Sequence, residues 1–188
     1  MSDMSRVIMV VGGCSSGKSV YAEKLAGELA GQNGWEVVYV ATGTIWDEEF
    51  DKRVEKHRTR RPASWQTIEE PVDLHNLFNG NAASNKVYLV DGVGTWVANL
   101  MYRGFQGEFI WDEQHEEELL GYLHLFINSL NESRNIIILV ADETGMGVVP
   151  DNLQARIFRD LNGMVNQKLA EKADEVFMVV CGIPIKIK

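Results

Sequence analysis

The sequence predicts an α/β domain in which helices cover both faces of a mostly parallel sheet. Two observations carry that reading. Short apolar segments alternate with segments of helical spacing, and the central apolar segments are continuously apolar, as strands buried on both faces must be. A third sets its extent: no internal repeat, low-complexity stretch or linker interrupts residues 1–188, so the chain reads as one domain.

The elements follow in order. RVIMVV (6–11) is a short buried strand, and GGCSSGKS follows it directly. Tyr21, Ala22, Leu25 and Leu29 then fall at helix spacing as far as Gly31. EVVYVA (36–41) is a second strand, and Thr44 with Asp47 forms a capping box that opens a helix to about Thr59. Pro62 ends it, and SWQTI (64–68) is a short strand. A short helix is expected over 72–78, a polar turn over 79–85 and an apolar strand, KVYLVD, over 86–91. Helices are expected over 95–102 and 112–130, the latter with Leu119, Leu123, Phe126 and Leu130 on one stripe. NIIILV (135–140) is another buried strand, 151–173 a strong helix, and EVFMVVCGIPIKIK two strands joined at Gly182.

Composition excludes several classes. The net charge of −9 argues against a broad nucleic-acid surface, so any anion site must be local. No apolar run reaches the ~18 residues of a membrane span, and the N-terminal residues lack a signal pattern. Two cysteines, Cys14 and Cys181, make no disulfide framework, so a reducing cytoplasm is the expected setting.

Gly12-Gly13-Cys14-Ser15-Ser16-Gly17-Lys18-Ser19 matches the phosphate-loop pattern G-x-x-x-x-G-K-[ST] in full. Its glycines let backbone N–H groups curl toward phosphate oxygens, and the following helix adds its positive end. Lys18 is expected to reach the β- and γ-phosphates of a nucleotide, and the Ser19 hydroxyl to hold Mg²⁺. A Gly/Ser-rich turn is the alternative, but the strand before and the helix after supply the required context. The second acid such a site needs is assigned to Asp91, which ends KVYLVD, with Asp142 after IIILVA as runner-up.

Lys52, Arg53, Lys56, Arg58, Arg60 and Arg61 are six of the 18 Lys and Arg residues, and they surround His57. On a helix, Phe50, Val54 and His57 share one face, so His57 extends an inward stripe. A satisfied core histidine in a solvated basic run is the plainer reading. The cations also keep an imidazole neutral and nucleophilic while attracting polyphosphate. His75, His115 and His124 have no ligand-like spacing and are read as surface or packing residues.

Together GGCSSGKS, YVAT (39–42), HRTRRPASW (57–65), ETGMGVVP (143–150), RIFRDLNGMVNQKLA (156–170) and the terminal ADEVFMVVCGIPIKIK resemble the bifunctional adenosylcobinamide kinase/adenosylcobinamide-phosphate guanylyltransferases of cobalamin biosynthesis. The resemblance runs from about Arg6 to Lys188. It implies a RecA-like P-loop NTPase fold assembled as a homotrimer. One implied activity phosphorylates the corrinoid adenosylcobinamide with ATP or GTP. The other moves GMP from GTP onto adenosylcobinamide phosphate through a guanylylated His57. Lys18 and His57 are the implied catalytic residues. Implied nucleotide positions are Gly12 to Ser19, Thr42, Gly43, Thr44, Arg58, Thr59, Arg60, Arg61, Glu69 and Asp91, with Ser19 and Asp91 at Mg²⁺. Against the family pattern, Ser15 replaces a common Arg, Gly92 and Gly94 loosen the turn after Asp91, and Asp142 adds a charge where relatives carry Asn. The competing readings are a P-loop kinase whose basic helix is a lid, and a nucleotide switch without transfer activity.

Overall fold

The computed structural model describes residues 5–43, 62–78, 85–105 and 109–188. The described elements are β1 (Arg6–Gly12), α1 (Lys18–Asn33), β2 (Glu36–Ala41), β3 (Gln66–Glu69), a 3-10 turn (Leu74–Leu77), β4 (Lys86–Asp91), α2 (Val93–Tyr102), α3 (Glu113–Glu132), β5 (Ile136–Asp142), α4 (Leu153–Lys172), β6 (Glu175–Val180) and β7 (Ile183–Lys186). The helix expected over 44–59 and most of the turn expected over 79–85 lie outside the described residues.

The seven strands form one sheet in the order β3-β2-β4-β5-β1-β6-β7. Every pairing is parallel except β6 with β7, which meet antiparallel through the tight turn at Cys181 and Gly182. Successive residues of each central strand point to opposite faces. Val7, Met9, Val38, Val40, Tyr88, Val90, Ile137 and Leu139 face α2, α3 and α4. Ile8, Val10, Val37, Tyr39, Val87, Leu89, Ile138 and Val140 face α1, whose Ala22, Ala26 and Ala30 let the helix lie close. Both faces being covered explains why the strands read as continuous apolar runs.

Helix ends follow their local chemistry. Asp112 accepts the His115 N–H at 3.1 Å to begin α3, and Asn152 accepts that of Ala155 at 3.2 Å to begin α4. The stripe of Leu119, Leu123, Phe126 and Leu130 is buried, and Phe126 packs its ring against Phe78 and Trp96. Each such side chain contributes roughly 1.5–3 kcal/mol by leaving water. Trp96 and Met101 are core residues, while Phe105 stacks on His115.

The segment expected as a helix at 72–78 is only a 3-10 turn at Leu74–Leu77. Glu70 explains its start, since its carboxylate accepts the N–H groups of Val72 at 3.0 Å and Asp73 at 2.8 Å. Trp96 Nε1 then takes the Val72 carbonyl at 2.8 Å, which removes it from any continuing helix.

The β7 edge is fastened by charge. Glu175 accepts from Lys186 at 2.7 Å and from Arg6, so it ties β6 to both β7 and β1. Lys186 foremost, then Arg6, holds the Glu175 carboxyl below the usual glutamate value. A lowered acid stabilises the fold fully above its unfolded value and loses that contribution as pH falls through the folded one. Glu175→Gln is therefore expected to lower the thermal midpoint at neutral pH, with the difference from wild type closing as pH falls below the ordinary glutamate value and through the lowered folded one. Unfolding scans across pH measure this. A difference that persists in acid would assign the loss to packing instead.

Candidate phosphate-binding site

The carboxyl ends of parallel strands are where α/β sheets hold ligands, and here that edge carries the predicted loop. β1 ends at Gly12, the chain curls through residues 13–17, and α1 begins at Lys18. Two left-handed residues make the curl, Ser15 at φ 55° and Gly17 at φ 93°. Ser16 N–H donates to Gly13 O at 3.2 Å across it. A Cβ on Gly12 would stand 2.7 Å from Val179 O, so a side chain there would force the loop off β6. Nothing lies within 4 Å of where a Gly13 side chain would begin, leaving the backbone open to an approaching anion.

Lys18 is the one buried lysine among the described residues. Its ammonium donates to Gly13 O at 3.2 Å and pairs with Asp142 at 2.7 Å. Asp142 ends β5, in register with Gly12 on the adjoining strand. Its backbone is held firmly: Asn162 Nδ2 at 2.7 Å and Asn166 Nδ2 at 2.9 Å both donate to its carbonyl. Glu143 N–H donates to Gly12 O at 3.0 Å, linking the end of β5 to the loop.

The other acid is equally near. Ser19 Oγ donates to Asp91 Oδ1 at 3.3 Å, and Tyr39 OH donates to Asp91 Oδ2 at 2.8 Å. Ser19 and Asp91 thus form a compact pair of oxygen ligands beside the loop. A Mg²⁺ ion takes few protein oxygens and keeps water and phosphate for the rest, so this donor set fits it. Both acids named from sequence meet the loop, Asp91 at its serine and Asp142 at its lysine.

The remaining expected positions divide. Thr42 is fully buried; its hydroxyl donates to Gly92 O at 2.8 Å, and its carbonyl accepts from Asn99 at 2.7 Å. Those bonds fix the turn by which the chain leaves β2 beside Asp91. Gly43 follows at the same edge. Glu69 is exposed at the end of β3, four strands from β1 and so about 19 Å away at ~4.8 Å per strand. The described residues do not bring it to the loop. His57, Thr44, Arg58, Thr59, Arg60 and Arg61 lie outside the described residues. The turn after Asp91 is not loose: Gly92 is extended at φ 178°, and Gly94 lies within α2 against the Asp142 carboxylate.

Four contributors escaped the sequence reading. Tyr39 orients Asp91, Asn162 and Asn166 fix Asp142, and Gly182 N–H donates to Ser16 O at 2.8 Å from the far end of the chain. Asn162 and Asn166 had a visible signal, since two amides four apart on a helix share a face. Gly182 had none, because its partner is far away in sequence.

Comparison with known proteins agrees with this geometry. A family model described as cobinamide kinase / cobinamide phosphate guanyltransferase matches residues 8–187. The bifunctional adenosylcobalamin biosynthesis protein CobU of Escherichia coli (strain K12) is 40% identical over 185 residues, covering 97% of this chain and 99% of that protein. The protein of the same name from Salmonella typhimurium is 38% identical over 185 residues, with the same two shares. CobP of Pseudomonas aeruginosa, also described as a bifunctional adenosylcobalamin biosynthesis protein, is 36% identical over 180 residues and 96% of each chain. With a match of this extent at this loop, the chain belongs to the cobinamide kinase / cobinamide phosphate guanyltransferase family.

Proposed function

We propose that this chain, acting as one nucleotide-binding domain over residues 1–188, phosphorylates adenosylcobinamide and then transfers GMP to the product. The observation that carries the kinase half is the loop itself, with Lys18 at its centre and Ser19 against Asp91. In that half the P-loop backbone and Lys18 hold the triphosphate of ATP or GTP. The acceptor hydroxyl of the corrinoid attacks the γ-phosphorus and gives up its proton to water, a P–O bond forms, and the bond to the bridging oxygen of the departing diphosphate breaks. Mg²⁺, when bound, supplies charge neutralisation on the phosphates, with Ser19 and Asp91 as its protein oxygens.

In the guanylyl half, the His57 imidazole attacks the α-phosphorus of GTP. The N–P bond forms as the bond to pyrophosphate breaks. The phosphate of adenosylcobinamide phosphate then attacks the same phosphorus, the N–P bond breaks, and adenosylcobinamide-GDP leaves. Arg58, Arg60 and Arg61 offer forked donors to the charge developing on phosphate. His57 belongs to the crossover from β2 to β3, which starts at Thr42 and Gly43 on the edge that carries Lys18 and Asp91. That placement supports one polyphosphate region serving two chemistries. Thr44, Thr59 and Glu69 enter as further nucleotide contacts.

The setting we assign is a cytoplasmic homotrimer. No described helix is long and apolar enough to cross a membrane. Exposed Met146, Val148 and Val149, after β5, are apolar surface that an assembly would cover.

Parallel incubations with α- and γ-labelled GTP test the two halves. The expected result is a protein-bound α-label that is acid-labile and alkali-stable, with γ-label passing to adenosylcobinamide. A γ-transfer without any α-label would leave a P-loop kinase alone.

A further inference from the structure

Asp142 places a carboxylate where the phosphates of a nucleotide have to come. Its partner among the described residues is Lys18, at 2.7 Å, the cation the triphosphate needs. A phosphate oxygen bonded to the same ammonium would sit within about 6 Å of the Asp142 carboxylate. The side chain can exchange partners without disturbing the fold, because its main chain is held independently. Asn162 and Asn166 hold its carbonyl, and the next residue's N–H is bonded to Gly12 O. Gly94 gives it room: a Cβ there would lie 2.7 Å from Asp142 Oδ2. Asp142 is a third exposed in its side chain, so solvent does not cancel its charge entirely.

The charge has a chemical consequence for which form of nucleotide enters. A metal-free triphosphate brings its full negative charge against Asp142 and draws away the lysine that neutralised it. A metal-bound triphosphate brings less, and its cation would be held by Ser19 and by Asp91, which ends the strand beside β5. Resting on the P-loop reading above, we propose that Asp142 is a specificity-determining residue that makes the loop select the divalent-metal complex of the nucleotide over the free nucleotide. The selection works by repulsion of the wrong form, which leaves the contacts to the right form intact.

The test measures GTP dissociation constants by calorimetry for the full chain, with Mg²⁺ and with EDTA, in wild type and Asp142→Asn. The expected result is about tenfold tighter binding of metal-free GTP in the variant, the size of one unit charge removed a few Å from phosphate in a partly hydrated site. Mg²⁺–GTP binding should change less than twofold to threefold, so the preference for the metal complex falls about threefold to tenfold. An unchanged preference overturns the proposal. Equal weakening of both forms also overturns it, because Asp142 would then be positioning Lys18. Asp142→Ser repeats the measurement if the Asn variant folds poorly, as a lowered thermal midpoint would reveal. Failure of the P-loop reading is distinct: wild type then binds neither form, or Lys18→Ala binds as wild type does.

Discussion

Lys18→Ala is expected to lower γ-phosphoryl transfer about 10²–10³-fold, the range seen when one preorganised charge-stabilising donor is removed. It should also weaken nucleotide binding. The two losses have different origins in this site. Turnover falls because the loop's own cation no longer reaches the phosphate on which charge develops. Affinity falls because the truncated site leaves Asp142, formerly paired at 2.7 Å, facing the polyphosphate alone. Steady-state kinetics and calorimetry separate them. Adding Asp142→Asn to Lys18→Ala should return part of the affinity but little of the turnover, a non-additive pair as expected of groups in contact. Unchanged affinity and turnover in the single variant would show that the loop does not bind the transferred phosphate.

The second large effect is expected at His57. His57→Ala should abolish protein-bound GMP and lower guanylyl transfer by at least about 10⁴-fold, since the reaction loses its nucleophile and not just a stabilising contact. γ-Phosphoryl transfer to adenosylcobinamide should persist in this variant within a fewfold of wild type. Retained α-label would place the covalent link on another residue. Loss of both activities together would mean the histidine segment also shapes the kinase site.

Much of the fold and of the site is legible in the sequence, for particular physical reasons. β2 and β4 were read to the residue, because EVVYVA and KVYLVD are apolar on both faces and end where polarity returns. The α3 stripe was legible since four residues at helical spacing have only one surface to share. The 3-10 turn was misread as a longer helix, because a local apolar pattern cannot announce that Glu70 and Trp96 will capture its backbone groups. Gly92 and Gly94 were read as slack. Gly94 proves to be a close-packing position in a helix, a property of what lies opposite and not of glycine itself. Within the site, the loop and both acids were visible as motifs on the chain. The pairing of Asp91 with Ser19 was visible with them; that of Asp142 with Lys18 was not, since it depends on β5 lying beside β1 in the sheet.

The bond from Gly182 to Ser16 also bears on how this protein is made. Residues 12–19 leave the ribosome long before residues 175–182, which form the wall behind them. β1 lacks its β6 neighbour until residues 175–180 have emerged, and the 181–182 turn reaches Ser16 later still. Contacts of such long sequence separation form slowly. Until then, strand β1 carries an unpaired apolar edge that other chains can join. A nascent chain halted before residue 175 therefore holds residues 12–19 without the β6 pairing and the Gly182 bond that back them, so nucleotide capture is expected only once residue 182 has emerged.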